Sequence, residues 1–216
     1  MGVIDPSRIG SSDVPAILGL HPSRTALDVY ARIVHGIDPR PVGPAGDRIE
    51  LGHELEEGIA RAAARRELGG PPEQVIKLPE IPTGRKWQRC HPSDFACRSG
   101  DGPALYVEAK SRTWGTWEAE GWSDEGPALG VLAQIVTQIE ATHTKAGTRA
   151  LEKLGLEPPD EIVAAALVGG WLRTWRVPRD PDGEAAILEA CERFWVDHVV
   201  AEYPPEVTRS TDATRA

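Results

Sequence analysis

Residues 105–111, LYVEAKS, alternate apolar and polar side chains with a period of two. Leu105, Val107 and Ala109 fall on one side, Tyr106, Glu108 and Lys110 on the other. Only an extended chain keeps such a set on one face, so the stretch predicts a strand, entered from a turn at Gly102 and Pro103 and setting an acid and a base side by side. Further strands are expected at 74–78, 86–90 and 94–99, and a hairpin over 161–179. Between them runs helical spacing. The strongest helix covers 47–68, with Ile49, Leu55, Ile59 and Ala62 or Ala63 along one stripe and GGPP at 69–72 ending it. Shorter helices are expected within 10–20, capped by Ser12 or Asp13, and at 25–36, 128–146 and 182–203, while the Trp-, Gly- and Asp-rich stretch 113–127 reads as a loop. Without an internal repeat or a low-complexity linker, this mixture predicts a single α/β domain over 1–207, with a small polar tail at 208–216 that frays.

Composition narrows the function classes. No run of about 18 apolar residues is present, so no helix of the chain should span a membrane. The N-terminus lacks the basic start and apolar stretch of a secretion signal. Cys90, Cys97 and Cys191 are odd in number and lack CxxC spacing, which argues against a disulfide framework, a zinc cluster or an iron–sulfur site and points to a reducing cytoplasm. The formal net charge of −9 disfavours a protein that coats nucleic acid with its whole surface. It is compatible with a local basic groove and with carboxylates gathered around a cation.

Carboxylates converging with a lysine suit hard-cation phosphodiester chemistry. Mg²⁺ takes oxygen ligands and keeps several waters. It polarises a phosphoryl oxygen and lowers the pKa of a bound water, which a lysine can then orient while stabilising charge on the phosphate. Asp101 in the turn, with Glu108 and Lys110 on the strand, offers these groups. Taken alone, Glu-x-Lys equally describes a surface ion pair contributing little.

Asp101…Glu108-Ala-Lys110 resembles the core of the PD-(D/E)XK nuclease superfamily, and the resemblance extends along the chain. RIGSSDVPAILGLHPSRTALDVYARIVHG is similar to the opening of the YqaJ-type viral recombinases, the family that includes lambda exonuclease. LGHELEEGIA resembles that family's Gly-x-x-Leu-Glu helix, ALGVLAQIVTQIEAT its glutamine-bearing helix, and RDPDGEAAILEACERFW its closing helix. The likeness runs in order from residue 8 to about 200.

The resemblance implies a restriction-endonuclease-like α/β fold, a central mixed sheet flanked by helices. It implies that Asp101, Glu108 and the Ala109 carbonyl ligate Mg²⁺ or Mn²⁺, two ions in all, with Glu56 approaching from its helix. Lys110 would position the attacking water. Gln134 would sit beside the lysine or the DNA backbone, with Gln138, one turn on, as the competing choice. Arg8, Ser12 and Asp13 would lie near the bound strand end, where Arg8 and Ser12 could hold a phosphate. The implied activity is a phage-type exonuclease that degrades duplex DNA from an end, 5′ to 3′, in the bacterial cytoplasm, leaving 3′ single strands for an annealing partner. The family includes ring-shaped trimers, so a homo-oligomer is implied as well.

The metal aspartate has three candidates. Only six residues separate Asp101 from Glu108, a shorter gap than the family shows. Aligned by its His-Pro start, HPSDFACRSG puts Ser99 at that position instead, which would leave a weakened nuclease or a DNA-end binding module; Asp94 is a third choice. An endonuclease of the same superfamily is the other alternative. His53 and His91, the tryptophans 114, 117 and 122, and the basic residues Arg61, Arg65, Arg66, Arg85, Lys86 and Arg89 all carry a structural reading beside a functional one.

Overall fold

A computed structural model describes residues 7–37 and 43–206. The helices are α1 (Val14–Ile17), α2 (Ala26–His35), α3 (Pro44–Glu67), α4 (Trp114–Glu120), α5 (Leu129–His143), α6 (Lys145–Glu152) and α7 (Pro181–Phe194). The strands are β1 (Gln74–Lys77), β2 (Ile81–Pro82), β3 (Arg89–Cys90), β4 (Phe95–Arg98), β5 (Leu105–Arg112), β6 (Glu161–Val168) and β7 (Trp171–Pro178). Five strands form a mixed sheet in the order β1-β4-β5-β6-β7, antiparallel throughout except for the central β5–β6 pair. β2 and β3 pair apart from it. The central strands have helices on both faces, as parallel pairing requires. This is the expected mixed sheet flanked by helices.

The period-two pattern of β5 sorts the two layers. Leu105, Val107 and Ala109 pack with Phe95 and Cys97 against Ile59, Ala60, Ala63 and Ala64 of α3. Tyr106 turns to the opposite layer, where Ile135 and Ile139 of α5 meet Ala164, Ala166 and Val168 of β6. The polar face of β5 is therefore covered by α5, and Glu108 is 1% exposed. Alternation predicted the strand correctly, but its second face does not look into solvent.

Several boundaries differ from the sequence expectation for local reasons. α3 begins at Pro44, and Ile49 and Leu55 are exposed, as is Ala62; the buried stripe starts only at Ile59, where the helix reaches the sheet. The stretch 113–127 contains α4, opened by Thr113 accepting from the Thr116 N–H and closed by Gly121 in the left-handed conformation that glycine adopts freely. The helix expected over 128–146 breaks at Thr144, whose hydroxyl caps α6. The closing helix is regular only to Phe194 and widens into a π-helical turn over Trp195–Val200. The frayed tail expected at 208–216 lies outside the described residues.

The segment leading into the site is held from both sides. Thr25 and Asp28 form a reciprocal cap at the start of α2, and the 15–21 turn presses against the first turn of α5. A β-carbon at Gly130 would lie 3.2 Å from the Leu20 carbonyl oxygen, so this close approach favours glycine.

Candidate active site

Glu108 sits in the middle of β5, and four polar side chains converge on or beside it. Its Oε1 accepts from Lys110 Nζ at 2.5 Å and from Gln134 Nε2 at 2.6 Å. Its Oε2 accepts from Gln138 Nε2 at 2.8 Å. Gln134 and Gln138 are one turn apart on α5, so both reach β5 from the same helix face. The sequence offered these glutamines as competing choices; the structure brings both to the carboxylate. Lys110, two residues along the strand, shares the face of Glu108, as the alternation predicts.

The aspartate beside this pair is Asp94. It precedes β4, whose register places Phe95 opposite Val107, and its Oδ2 accepts a 2.7 Å hydrogen bond from the Ala109 N–H. Burial, and after it the negative charge of Glu108, raises the Asp94 carboxyl well above its usual range, with Glu56 acting in the same direction. Burial works against the Lys110 ammonium, but Glu108 and Asp94 more than offset it and raise its pKa. Asp94, Glu108, Lys110 and Glu56 therefore form one electrostatic group. Glu56, from α3, is mostly buried and bonds His53 Nδ1 at 2.7 Å.

Asp101 is not part of this group. It is exposed at the N-terminal end of β5, lining a groove with Arg98, Tyr106, Glu157 and Arg176. Ser99 lies at the same end, its hydroxyl 3.4 Å from the Pro71 carbonyl oxygen. The fold therefore does not bring Asp101 to Glu108. An antiparallel hairpin brings together residues equidistant from its turn, and a residue inside the turn stays at the strand's far end.

The donor set suits a hard cation. Two carboxylates, from Asp94 and Glu108, share a partly buried place where burial and mutual repulsion disfavour the Asp94 anion, a cost that a divalent cation would offset. Among the described residues, no three His, Cys, Asp or Glu side chains come together as a metal cluster. A cation here would draw its remaining ligands from main-chain carbonyls and from water.

Beside Lys110 opens a cavity of about 200 Å³, whose polar lining includes Ser12, His21, Arg24, Lys110, Arg112 and Gln134. Its cations are fixed by acids behind them. Arg24 donates to Asp13 Oδ1 at 2.8 Å, and Arg112 donates to Glu120 Oε2 at 2.7 Å. Asp13 was expected near DNA. It is 2% exposed, and also accepts from Arg32 and from the Gly10 N–H. It positions Arg24 from behind. Ser12 does face the cavity, whereas Arg8 lines a separate groove with Ile33, Lys86 and Trp195. Arg24, Arg112 and His21 were missed from the sequence, although the spacing from Asp13 to Arg24 could not have revealed a pair formed through the intervening turn.

Most of the other candidates have partners within the fold. Trp117 and Trp122 stack at 5.2 Å with Trp175 against them in the core, while Trp114 stays exposed. Arg61 pairs with Glu57, Arg85 with Glu140, and Arg89 and His91 with Glu80. Among the described residues no helix is long and apolar enough to cross a membrane.

No protein-family model matches the sequence, and no curated protein does. Solved structures are similar in fold. An alkaline exonuclease (LHK-Exo) from Laribacter hongkongensis matches with a TM-score of 0.60 at 17% identity, covering 92% of this chain and 90% of that one. LHK-Exo in complex with dAMP matches at 0.62 and 18% identity over the same shares. A phage related exonuclease from Haemophilus somnus 129PT matches at 0.54 and 11% identity, covering 90% and 96%. The chain shares its fold, a mixed sheet flanked by helices, with these exonucleases over about nine-tenths of its length.

Proposed function

We propose that the chain is a metal-dependent deoxyribonuclease that hydrolyses phosphodiesters from the ends of duplex DNA. The observation that carries this reading is the convergence of Asp94, Glu108 and Lys110 at the edge of a cavity lined by Ser12, Arg24 and Arg112. The fold shared with exonucleases over nine-tenths of both chains supports it.

In this reading Asp94 and Glu108, with the Ala109 carbonyl, would hold Mg²⁺ or Mn²⁺, and Glu56 would approach through water from its helix. The bound ion supplies a polarised phosphoryl oxygen and a water of lowered pKa. The chain's own groups do the rest. Lys110 donates to the attacking water and stabilises negative charge gathering on the phosphate. Gln134 and Gln138 fix the plane of the Glu108 carboxylate, so that its oxygens keep one orientation. Arg24 and Arg112, each locked by a carboxylate, hold a phosphate at the strand end without rearranging, and Ser12 adds a hydroxyl donor. Degradation from 5′ to 3′, a trimeric ring and delivery of 3′ single strands to an annealing protein extend the same reading.

Release of acid-soluble nucleotides from linear duplex DNA with Mg²⁺ tests it. Glu108→Gln and Lys110→Ala should each lower the rate by about 10²-fold or more. Undiminished release in both variants would refute the site. Closed circular duplex should survive, and its cutting would instead favour an endonuclease.

A further inference from the structure

We propose that Trp114 and Trp171 form a stacking platform for the unpaired bases of single-stranded DNA, alongside the cavity lined by Lys110 and Arg112. The nuclease reading above supplies only the source of the unpaired strand; the platform itself rests on where the two rings lie.

Both indoles stand out of the fold. Trp114 is 51% exposed and Trp171 69%, whereas Trp117 and Trp122 are buried and Trp175 packs against them. The sheet register carries this surface to the edge of the site. Arg112 pairs with Val168 across β5 and β6, and Val168 pairs with Trp171 across β6 and β7. Side chains in register share a face, so the three residues form a row over adjacent strands. At the usual strand spacing, Trp171 follows Arg112 by roughly 10 Å.

Trp114 comes two residues after Arg112 and opens α4. A β-carbon at Gly169, in the turn between β6 and β7, would lie 2.4 Å from Trp114 Nε1. Gly169 and Gly170 have φ of 54° and 91°, left-handed conformations that glycine adopts freely. The two-glycine turn thus reverses the chain and leaves room for the ring beside it. Trp114 is seated before any ligand arrives, which lowers the entropic cost of binding.

The charges around the rings name the occupant. Arg112 lies on the cavity side. Arg173, two residues beyond Trp171, shares its face of β7 and pairs with Asp124 at 3.1 Å, an exposed contact that contributes little. Rings flanked by guanidinium groups suit a single strand, whose bases stack while its phosphates meet the cations. A protein partner calls for a continuous apolar patch, and Val168, the residue between Arg112 and Trp171 in the row, is buried.

Anisotropy titrations in EDTA, which withholds metal, test the platform. The probes are a fluorescein-labelled oligothymidylate and an abasic oligomer of equal length and charge. The wild-type chain should bind the thymidylate more tightly. Trp114→Ala combined with Trp171→Ala should raise the Kd for thymidylate about tenfold or more and leave that for the abasic oligomer unchanged. Trp114→Phe combined with Trp171→Phe keeps both rings and should restore most of the affinity. Trp171→Ala alone, at the more exposed ring, should show part of the loss while keeping the wild-type melting temperature.

Equal weakening on both oligomers would overturn the platform, and so would unchanged binding of both, which would leave the face to a protein partner. Nucleotide release from linear duplex by the wild type is judged separately. Release accompanied by thymidylate binding that ignores the substitutions refutes the platform alone. Base-dependent binding without release refutes the nuclease reading alone.

Discussion

The carboxylate of Asp94 and the main-chain N–H of Ala109 are joined by a 2.7 Å hydrogen bond. This single contact ties the residue before β4 to the strand that carries Glu108 and Lys110. It also explains why Asp94 is the aspartate of the group, although Asp101 is closer in sequence. A short peptide distance is no guide to spatial distance when the chain between two residues is itself the outgoing strand.

Glu108 and Asp94 place two acids where one is disfavoured as an anion, so a divalent cation should bind the folded chain and stabilise it. At a metal concentration a hundred times Kd, binding to the native state adds about 2.7 kcal/mol. For a chain of this size that is roughly a 5–10 °C rise in Tm. Thermal unfolding with Mn²⁺ or Mg²⁺ against EDTA should show the rise in the wild type and its loss in a variant carrying both Asp94→Asn and Glu108→Gln. An equal rise in the two proteins would place the cation elsewhere.

Gln138 and Gln134 should not be equivalent. Glu108 Oε2 has Gln138 as its side-chain donor, whereas Oε1 keeps Lys110 when Gln134 is removed. Gln138→Leu therefore leaves a buried carboxylate oxygen without its donor, at a cost of about 1–3 kcal/mol. Gln134→Leu should cost less in stability. Chemical denaturation of the two variants decides this, and a larger loss for Gln134→Leu would contradict the geometry.

The lowered pKa of His21 has a definite sign in stability. Its cationic form is less favourable in the folded chain than in the unfolded one. The stability it contributes is present above the ordinary histidine pKa, near 6.5, and is lost as pH falls below that value. His21→Asn should flatten this part of the profile between pH 8 and pH 5.5. Parallel Tm curves for variant and wild type would show that the ring carries no such penalty.

Much of this site could be read before folding. Glu108 and Lys110 follow from the alternation of β5, and Gln134 and Gln138 from helical spacing on α5. Asp94 was accessible to a stricter argument. If DFACR and LYVEA form a hairpin around SGDGPA, pairing Phe95 with Val107 brings Asp94 opposite Glu108, one step further along. The Asp-Gly of the turn is the stronger local signal, but it lies at the far end of the hairpin. Arg24 and Arg112 were beyond reach, because what fixes them is a pair of distant or irregular contacts, to Asp13 and Glu120, that no periodicity encodes. α4 was hidden by Trp114, Gly115 and Trp117, poor helix formers whose segment is defined by its caps at Thr113 and Gly121 rather than by propensity.

The central claim is that Asp94 completes the nuclease site, and a pair of conservative substitutions tests it most directly. Nucleotide release from linear duplex DNA with Mg²⁺ should fall by about 10²-fold or more in Asp94→Asn and stay near the wild-type rate in Asp101→Asn. Full activity in Asp94→Asn together with loss in Asp101→Asn would contradict the account.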